Sequence, residues 1–367
     1  MLRTDDLDYD LPGERIATRP ARPRESARLL VVSRSSPTDI THAHVRDLPR
    51  LLRSGDLLVR NTSPVLNARL RGHRSDTQGA VSGLFLEAIA PTRWRCLFKA
   101  NARLRPSTRI TLTHTDPSAP SLEIILDTKN DDASWNISLI DPPAKDPHEL
   151  LSALGLTPLP PYILAARKQQ HIDEPDEHDR NWYHTVFEDL TTIDEHGASV
   201  AAPTAGLHLS EPLINTLRDS DISIADVVLH VGEGTFKPVE TDSLDDHPMH
   251  SERFLVPQHT MDAIGRTRHA DGRVIALGTT TARALESTDD TALPGRWNST
   301  SLLISPGYTF RHIDALMTNF HLPRSTLLAM VAALFSNGID DLLPIYREAI
   351  ARGYRFYSYG DAMLILP

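Results

Sequence analysis

Two short runs hold residue types suited to acid–base and oxyanion chemistry. The first is Ser199-Val200-Ala201-Ala202-Pro203-Thr204-Ala205-Gly206-Leu207-His208. The second is Leu229-His230-Val231-Gly232-Glu233-Gly234-Thr235-Phe236. Each is apolar at its start and breaks into Gly, Thr and His. Such a run predicts a strand emptying into a loop at the edge of a sheet, where open α/β folds bind ligands. Small residues such as Gly206, Gly232 and Gly234 let the backbone approach a ligand. Thr204, Thr235, His208 and His230 bring hydroxyls and proton carriers. Either run alone reads as a strand and a turn; the two together predict a site.

More of the same kind follows. Gly278-Thr279-Thr280-Thr281-Ala282-Arg283 comes after the apolar run Val274 to Leu277 and opens a helix, whose free N–H groups suit an anion or carboxylate. Ser305-Pro306-Gly307-Tyr308 reads as a strand-end turn with an aromatic ring able to stack on a base. Thr318 to Thr326 offers Asn319, His321 and Arg324 just before a helix. Tyr354 to Met363 reads as a last, aromatic-rich strand in which core packing is the plainer role. Phosphate loops, dinucleotide fingerprints, zinc-protease helices and serine nucleophile elbows are missing. His42 and His44 read as a surface pair rather than a chelate. The histidines therefore predict proton transfer without a metal.

These residues need elements to position them. Residues 68–140 read as six short strands. Inward faces are expected from Leu84, Leu86 and Ala88, from Trp94, Cys96 and Phe98, and from Ile110 and Leu112. Two more come from Leu122, Ile124 and Leu126 and from Trp135, Ile137 and Leu139. Evenly spaced strands without helices predict a small barrel. The fold class is thus an α/β main domain, 1–65 and 146–367, with an inserted all-β six-stranded barrel at 66–145. In the main domain, Asp146 caps a helix through Leu154, and Ser210 caps one from Glu211 to Arg218. Further helices are expected at 260–269, 281–287, 325–335 and 342–352. Buried strands are expected at 227–231, 274–277 and 302–304. Residues 171–196 carry many carboxylates against Arg180 and read as a solvated, mobile loop.

An apolar share of 40% and a charged share of 23% belong to a globular protein. The longest apolar run, Leu327 to Phe335, is half of a membrane span, and Met1 to Asp6 opens no signal peptide. The single cysteine, Cys96, excludes an internal disulfide and a cysteine zinc site. A cytoplasmic monomer is expected. Net charge is −10, yet residues 1–110 hold 20 Lys and Arg against 11 Asp and Glu, a net +9. A local basic face is what a phosphate backbone needs, whatever the total.

In order and over nearly the whole chain, the motifs resemble the S-adenosylmethionine:tRNA ribosyltransferase-isomerase family of queuosine biosynthesis. The resemblance rests on Leu11-Pro12, Ile16-Ala17, Arg24 to Leu30, Ser199 to His208 and Leu229 to Phe236. It continues through Met249 to Glu252, Gly278 to Ser287, Pro306 to Tyr308, Thr318 to Leu328 and Phe356 to Leu366. It implies a two-part fold with a six-stranded barrel. It also implies that S-adenosylmethionine serves as co-substrate and ribosyl donor, with no bound cofactor and no metal. The acceptor would be an aminomethyl-deazaguanine at the tRNA wobble position, and adenine and methionine would leave.

On that reading His230, or second His208, removes a proton beside the sulfonium, and Thr204, Thr235 and Thr279 donate to ribose oxygens. Thr280 to Arg283 would hold the carboxylate. Asn61, Gly206, Gly232, Gly234, Tyr308, Asn319, His321 and Arg324 would complete the substrate site, and Arg71, Arg93 and Arg103 would meet tRNA. The chain departs from the family at Asn61-Thr62-Ser63-Pro64, where Asn-Asp-Thr and a basic residue are usual. It departs again at Lys99-Ala100-Asn101, where Lys-Pro-Gly is usual. These changes leave two alternatives: the same donor with a small non-tRNA acceptor, or a tRNA-binding protein without catalysis.

Overall fold

In the computed structural model, which describes residues 2–114, 120–193, 199–232, 239–289 and 291–367, the chain opens with strands β1 (Arg28–Ser33), β2 (Ser36–His44) and β3 (Leu57–Asn61). Six strands follow: β4 (Arg69–Arg74), β5 (Ala80–Ala90), β6 (Arg93–Ala100), β7 (Arg109–Leu112), β8 (Leu122–Lys129) and β9 (Trp135–Ile140). They close a barrel in the order β4-β5-β6-β9-β8-β7. The remaining strands are β10 (Ser223–Leu229), β11 (Glu252–Leu255), β12 (Val274–Leu277), β13 (Trp297–Thr300), β14 (Ala315–Asn319) and β15 (Ala362–Leu366). The helices are α1 (Leu48–Leu51), α2 (Pro147–Leu154), α3 (Pro161–Gln169), α4 (Asp176–Trp182) and α5 (Glu211–Asp219), then α6 (Gln258–His269), α7 (Thr279–Glu286), α8 (Thr326–Ala332) and α9 (Ile339–Ala351).

Among the described residues, nine strands form one sheet in the order β13-β11-β10-β3-β12-β14-β15-β1-β2. Its centre is parallel: β10 pairs with β3, β3 with β12 and β12 with β14 in the same direction. Every residue of β3, β12 and β14 is buried, as central strands covered on both faces require. Successive side chains serve opposite cores. Leu57, Val59, Val274, Ala276 and Leu316 join one, while Leu58, Ile275, Leu277, Ala315 and Met317 join the other.

The expected α/β sheet and inserted barrel are therefore both present. Inside the barrel, Trp94, Cys96, Ile110, Leu112, Ile124, Leu126, Trp135 and Ile137 form a third core, closed off by Leu150, Leu151 and Leu154 of α2. The chain enters the barrel and leaves it side by side, through a bridge between Arg69 and Leu156. Gly155 permits this, since a Cβ there would lie 1.8 Å from the Asn67 carbonyl oxygen.

Several expectations need correcting. In β5 the fully buried residues are Val81 and Phe85; of the expected face, Leu84 and Ala88 pack against the barrel core partly buried, and Leu86 does not join it. A register shift between Phe85 and Glu87 breaks the alternation there. Residues 302–304 form no strand, and the apolar run is loop beside β13. The strand expected at 227–231 ends at Leu229, because the Ser199 hydroxyl takes the Val231 N–H at 2.9 Å. The last strand begins only at Ala362. Residues before it form a turn in which Tyr357 has φ of 71°.

The largest correction is the acidic segment. Residues 176–182 are helix α4, and two of its three carboxylates, Asp176 and Asp179, are clamped. Arg167 forks onto Asp179 at 2.6 and 2.7 Å while also donating to the Thr18 carbonyl. Tyr359 donates its hydroxyl to the same carboxylate at 3.1 Å. Asp176 accepts from the Thr157 N–H and from Arg180, both at 3.0 Å, and pairs with Arg69 at the foot of the barrel at 3.5 Å. Glu174 pairs with Arg19. Removing one member of a buried, fully paired ion pair strands the other. Asp179→Ala should therefore lower unfolding stability by about 3–5 kcal/mol in urea titrations. A drop under about 0.5 kcal/mol would return the segment to a solvated loop.

Candidate active site

Strands β10, β3, β12 and β14 run in one direction, so their C-terminal ends share one edge of the sheet. At that edge the backbone must leave the sheet, and its next residues face open space. Gly278 makes the tightest exit. Its φ of 94° is open to glycine, its N–H is held by the Met317 carbonyl at 2.7 Å, and α7 starts immediately after it. Beside it lies a cleft whose walls include Thr204, Thr279, Thr280, Thr318, Asn319, His321, Tyr357 and Ser358.

Of the residues expected at a site, Thr204, Thr279, Thr280, Asn319 and His321 line this cleft. Others sit behind its wall. Gly206 packs under Phe187, whose ring would be 2.7 Å from an added Cβ. His208 is buried. Asn61 ties β3 to the end of β10: its Nδ2 donates to the Leu229 carbonyl and its Oδ1 accepts from the Leu229 N–H, each at 3.0 Å. His230 follows directly. Its Nδ1 lies 2.8 Å from the Ser63 hydroxyl, and its ring lies against Trp297 at 4.9 Å. The N–H of Gly232 donates to Glu252 at 3.0 Å. Gly234 and Thr235 lie outside the described residues.

Arg283 forms a buried ion pair with Glu252, and burial lowers its pKa to about 10. Glu252 thus joins the helix after β12 to the turn after β10. Tyr308 and Arg324 are elsewhere. Glu286 accepts from the Tyr308 hydroxyl at 3.2 Å and from the N–H groups of Arg311 and His312, both at 2.8 Å. Arg324, at φ of 54°, lies 3.1 Å from Asp5. Arg71, Arg93 and Arg103 are exposed on the barrel and have no ion pair among the described residues. Arg71 and Lys99 both stand directly across from Ser82, which makes a cationic row over three adjacent strands.

Asn319 organises the cleft. Its Nδ2 donates to His208 Nε2 and to the Tyr357 carbonyl, each at 3.1 Å, and its Oδ1 accepts from the Thr204 hydroxyl at 3.0 Å. Thr318 Oγ1 lies 2.9 Å from His321 Nε2. The hydroxyls of Tyr346 and Tyr9 hold the His321 backbone: Tyr346 accepts from its N–H at 3.1 Å, and Tyr9 donates to its carbonyl. The sequence pattern did not point to Tyr162, Tyr357 and Ser358 as cleft residues. The nearest signal for Tyr357 and Ser358 was Gly360: a Cβ there would meet the Arg355 and Phe356 backbone at 2.5–2.7 Å, so the turn is built around it. The walls can offer hydroxyls, an amide and imidazoles, together with the N-terminal N–H groups of α7.

Burial pushes His208 from its ordinary 6.5 down to about 4 and His321 to about 3. Both are neutral when folded at pH 7. Below 6.5 the unfolded chain takes up protons that the folded rings refuse. Stability attached to these rings is therefore full above about pH 6.5 and falls toward pH 4, by at most about 1.4 kcal/mol per pH unit for each ring. The drop in urea stability from pH 7 to pH 5 should be smaller in His208→Gln than in the parent. An equal drop would show that His208 does not resist protonation.

The comparisons with known proteins agree with one another. A family model described as queuosine biosynthesis protein matches residues 4–365. A protein of Rhizobium etli named S-adenosylmethionine:tRNA ribosyltransferase-isomerase is 41% identical, over 99% of this chain and 99% of its own. One of the same name from Symbiobacterium thermophilum is 42% identical over all of both chains. The crystal structure of an S-adenosylmethionine tRNA ribosyltransferase from Thermotoga maritima, at 32% identity, superposes with a TM-score of 0.52 and covers 98% of this chain and 100% of that one. With the sheet, the barrel and the full-length match in agreement, the chain belongs to the queuosine biosynthesis protein family.

Proposed function

We propose that this protein transfers the ribosyl group of S-adenosylmethionine to the aminomethyl nitrogen of a 7-deazaguanine at the tRNA wobble position. The ribose is isomerised on the way to epoxyqueuosine, and adenine and methionine are released. The observation that carries the reading is the hydroxyl-lined cleft at the strand ends, found in a chain that matches this family from end to end. Thr279 and Thr280, at the start of α7, suit the carboxylate or ribose oxygens of the donor. His230, steadied by Ser63 and Trp297, is the base assigned to the proton beside the sulfonium. His208 suits that role less well, because its Nε2 is occupied by Asn319. The cationic row of Arg71 and Lys99, with Arg93 and Arg103, is the surface assigned to the tRNA backbone. The reading needs no metal.

The altered turn at Asn61 to Pro64 is compatible with this reading. Asn61 binds the Leu229 backbone and the Ser63 N–H, and its Nδ2 lies 3.4 Å from the Thr280 hydroxyl; the Thr62 hydroxyl lies 3.3 Å from the Val227 carbonyl, and Ser63 is against His230. Its polar groups serve the fold and a neighbouring side chain.

The direct test is incubation of the protein with S-adenosylmethionine and a tRNA bearing the aminomethyl base, followed by nucleoside mass spectrometry. Epoxyqueuosine and adenine should appear together. Turnover of a free deazapurine, with no tRNA binding at low salt, would replace the reading by the small-acceptor alternative. His230→Gln should lower the rate by about 10²–10⁴-fold while S-adenosylmethionine binding stays within a few-fold. Near-normal turnover removes His230 from the role.

Replacing Arg71, Arg93 and Arg103 together by Ala should weaken tRNA binding. It should also reduce the slope of log K against log salt by about 2–3, because each phosphate neutralised by an arginine adds about 0.9 to that slope. Affinity for S-adenosylmethionine should not change. An unchanged slope would place tRNA on another face.

A further inference from the structure

The hydrogen bonds around Asn319 have one consistent assignment, and it fixes what Thr204 can offer a ligand. The Tyr357 carbonyl can only accept, so the Asn319 atom 3.1 Å from it must be the amide nitrogen. The same nitrogen faces His208 Nε2 at 3.1 Å. That ring nitrogen must therefore carry a lone pair, and the His208 proton sits on Nδ1. Burial of His208 in its neutral form is consistent with this. The remaining Asn319 atom is the carbonyl oxygen, which can only accept. Thr204 Oγ1, 3.0 Å away, must donate to it.

A hydroxyl has one proton. Thr204, half-buried in the cleft wall, has spent its proton on Asn319. We propose that Thr204 recognises its ligand as a hydrogen-bond acceptor, so that the group seated on it is a donor. That donor is a ribose hydroxyl or the ammonium group of S-adenosylmethionine. His208 and the Tyr357 carbonyl are positioning groups: they hold the Asn319 amide in the orientation that commits the Thr204 proton. The assignment replaces the expectation that Thr204 donates to a ribose oxygen. Donation to such oxygens is left to Thr279, Thr280 and the N–H groups of α7. The match of Thr204 to this donor rests on the functional reading above. The orientation of Asn319 does not.

The experiment has two arms. In the first, nitrogen-15 NMR of labelled protein without ligand reads the His208 tautomer. A proton on Nδ1 is expected, and a proton on Nε2 overturns the assignment. In the second, calorimetry measures binding of S-adenosylmethionine and of analogues lacking the 2′-hydroxyl, the 3′-hydroxyl or the ammonium group. Thr204→Val should weaken S-adenosylmethionine about 10-fold, more if the ammonium is the donor, and Thr204→Ser should restore it. The valine variant should make no difference to one analogue, the one whose donor has been removed. Equal weakening for all ligands, or a change under about 2-fold, overturns the proposal, and thermal unfolding of the variants separates a damaged fold from a missing hydrogen bond. A parent protein that binds no S-adenosylmethionine overturns the functional reading and the donor match together. The tautomer result still tests the amide orientation in that case.

Discussion

The site depends on a single buried carboxamide. Asn319 ends β14, and its three hydrogen bonds reach Thr204 and His208, at the two ends of one helical turn, and Tyr357 in a second, distant segment of the chain. A buried amide left short of a partner costs about 1–3 kcal/mol, so each bond constrains the segment that supplies it. The pairing of β14 makes this possible. Its parallel bond to β12 puts the end of the strand beside Gly278. Its antiparallel bond to β15 sets Asn319 opposite Ala362 and hence close to the turn that contains Tyr357. That turn keeps a tyrosine at φ of 71°, a costly conformation for a bulky residue. The Tyr357 N–H is taken by Phe320 at 3.1 Å and its carbonyl by Asn319, so both its backbone groups are anchored to the end of β14.

The neighbouring wall is organised by charge. Glu252 and Arg283 are both buried and paired with each other, and Glu252 also accepts from the Gly232 N–H. An arginine at the opening of a helix beside a cleft invites assignment as an anion clamp. Here its charge is already balanced. Pulling it onto a ligand would leave Glu252 buried and short of its partner, at a cost of several kcal/mol. The hydroxyls of Thr279 and Thr280 carry no such penalty. They are the groups at this helix start that a ligand can engage without dismantling the structure.

Much of this was legible in residue order. Alternation marks the barrel strands because their outer faces meet water, so Trp135, Ile137 and Leu139 are distinct from their neighbours. The strand Val274 to Leu277 and the Gly278 exit were legible for another reason: an all-apolar run followed by Gly and Thr has few other readings. Where a local irregularity intervened, the pattern misled. The bulge at Phe85 exchanges the faces of β5, and no residue type announces it. Partners distant in sequence were invisible. Thr204 and His208 stood out in one run, but that the distant Asn319 binds both follows from the sheet order, which residue spacing does not encode. Asp176 and Asp179 looked like surface charge because Arg69 lies about a hundred residues away in a different part of the fold, and Arg167 reaches Asp179 only across the turn between two helices.

Those carboxylates also bear on how a protein of net charge −10 can present a basic surface. Several acidic residues outside the barrel are directed at particular arginines: Glu174 at Arg19, Asp176 at Arg69 and Arg180, Asp179 at Arg167. On the barrel itself, Glu87 and Asp132 hold Arg95 and Glu123 holds Arg109. What is left exposed on β4 to β6 and the loop after them is Arg71, Arg93, Lys99, Arg103 and Arg105. At a Debye length near 8 Å in physiological salt, the rest of the chain's negative charge is largely screened from this row. A phosphate backbone approaching it would meet the row's own charge, while the surplus of carboxylates elsewhere keeps the molecule as a whole anionic. The pairing within residues 167–180 is thus both mechanical and electrostatic. It joins the foot of the barrel to the main sheet, and it occupies carboxylates that would otherwise stand free to compete for the basic face.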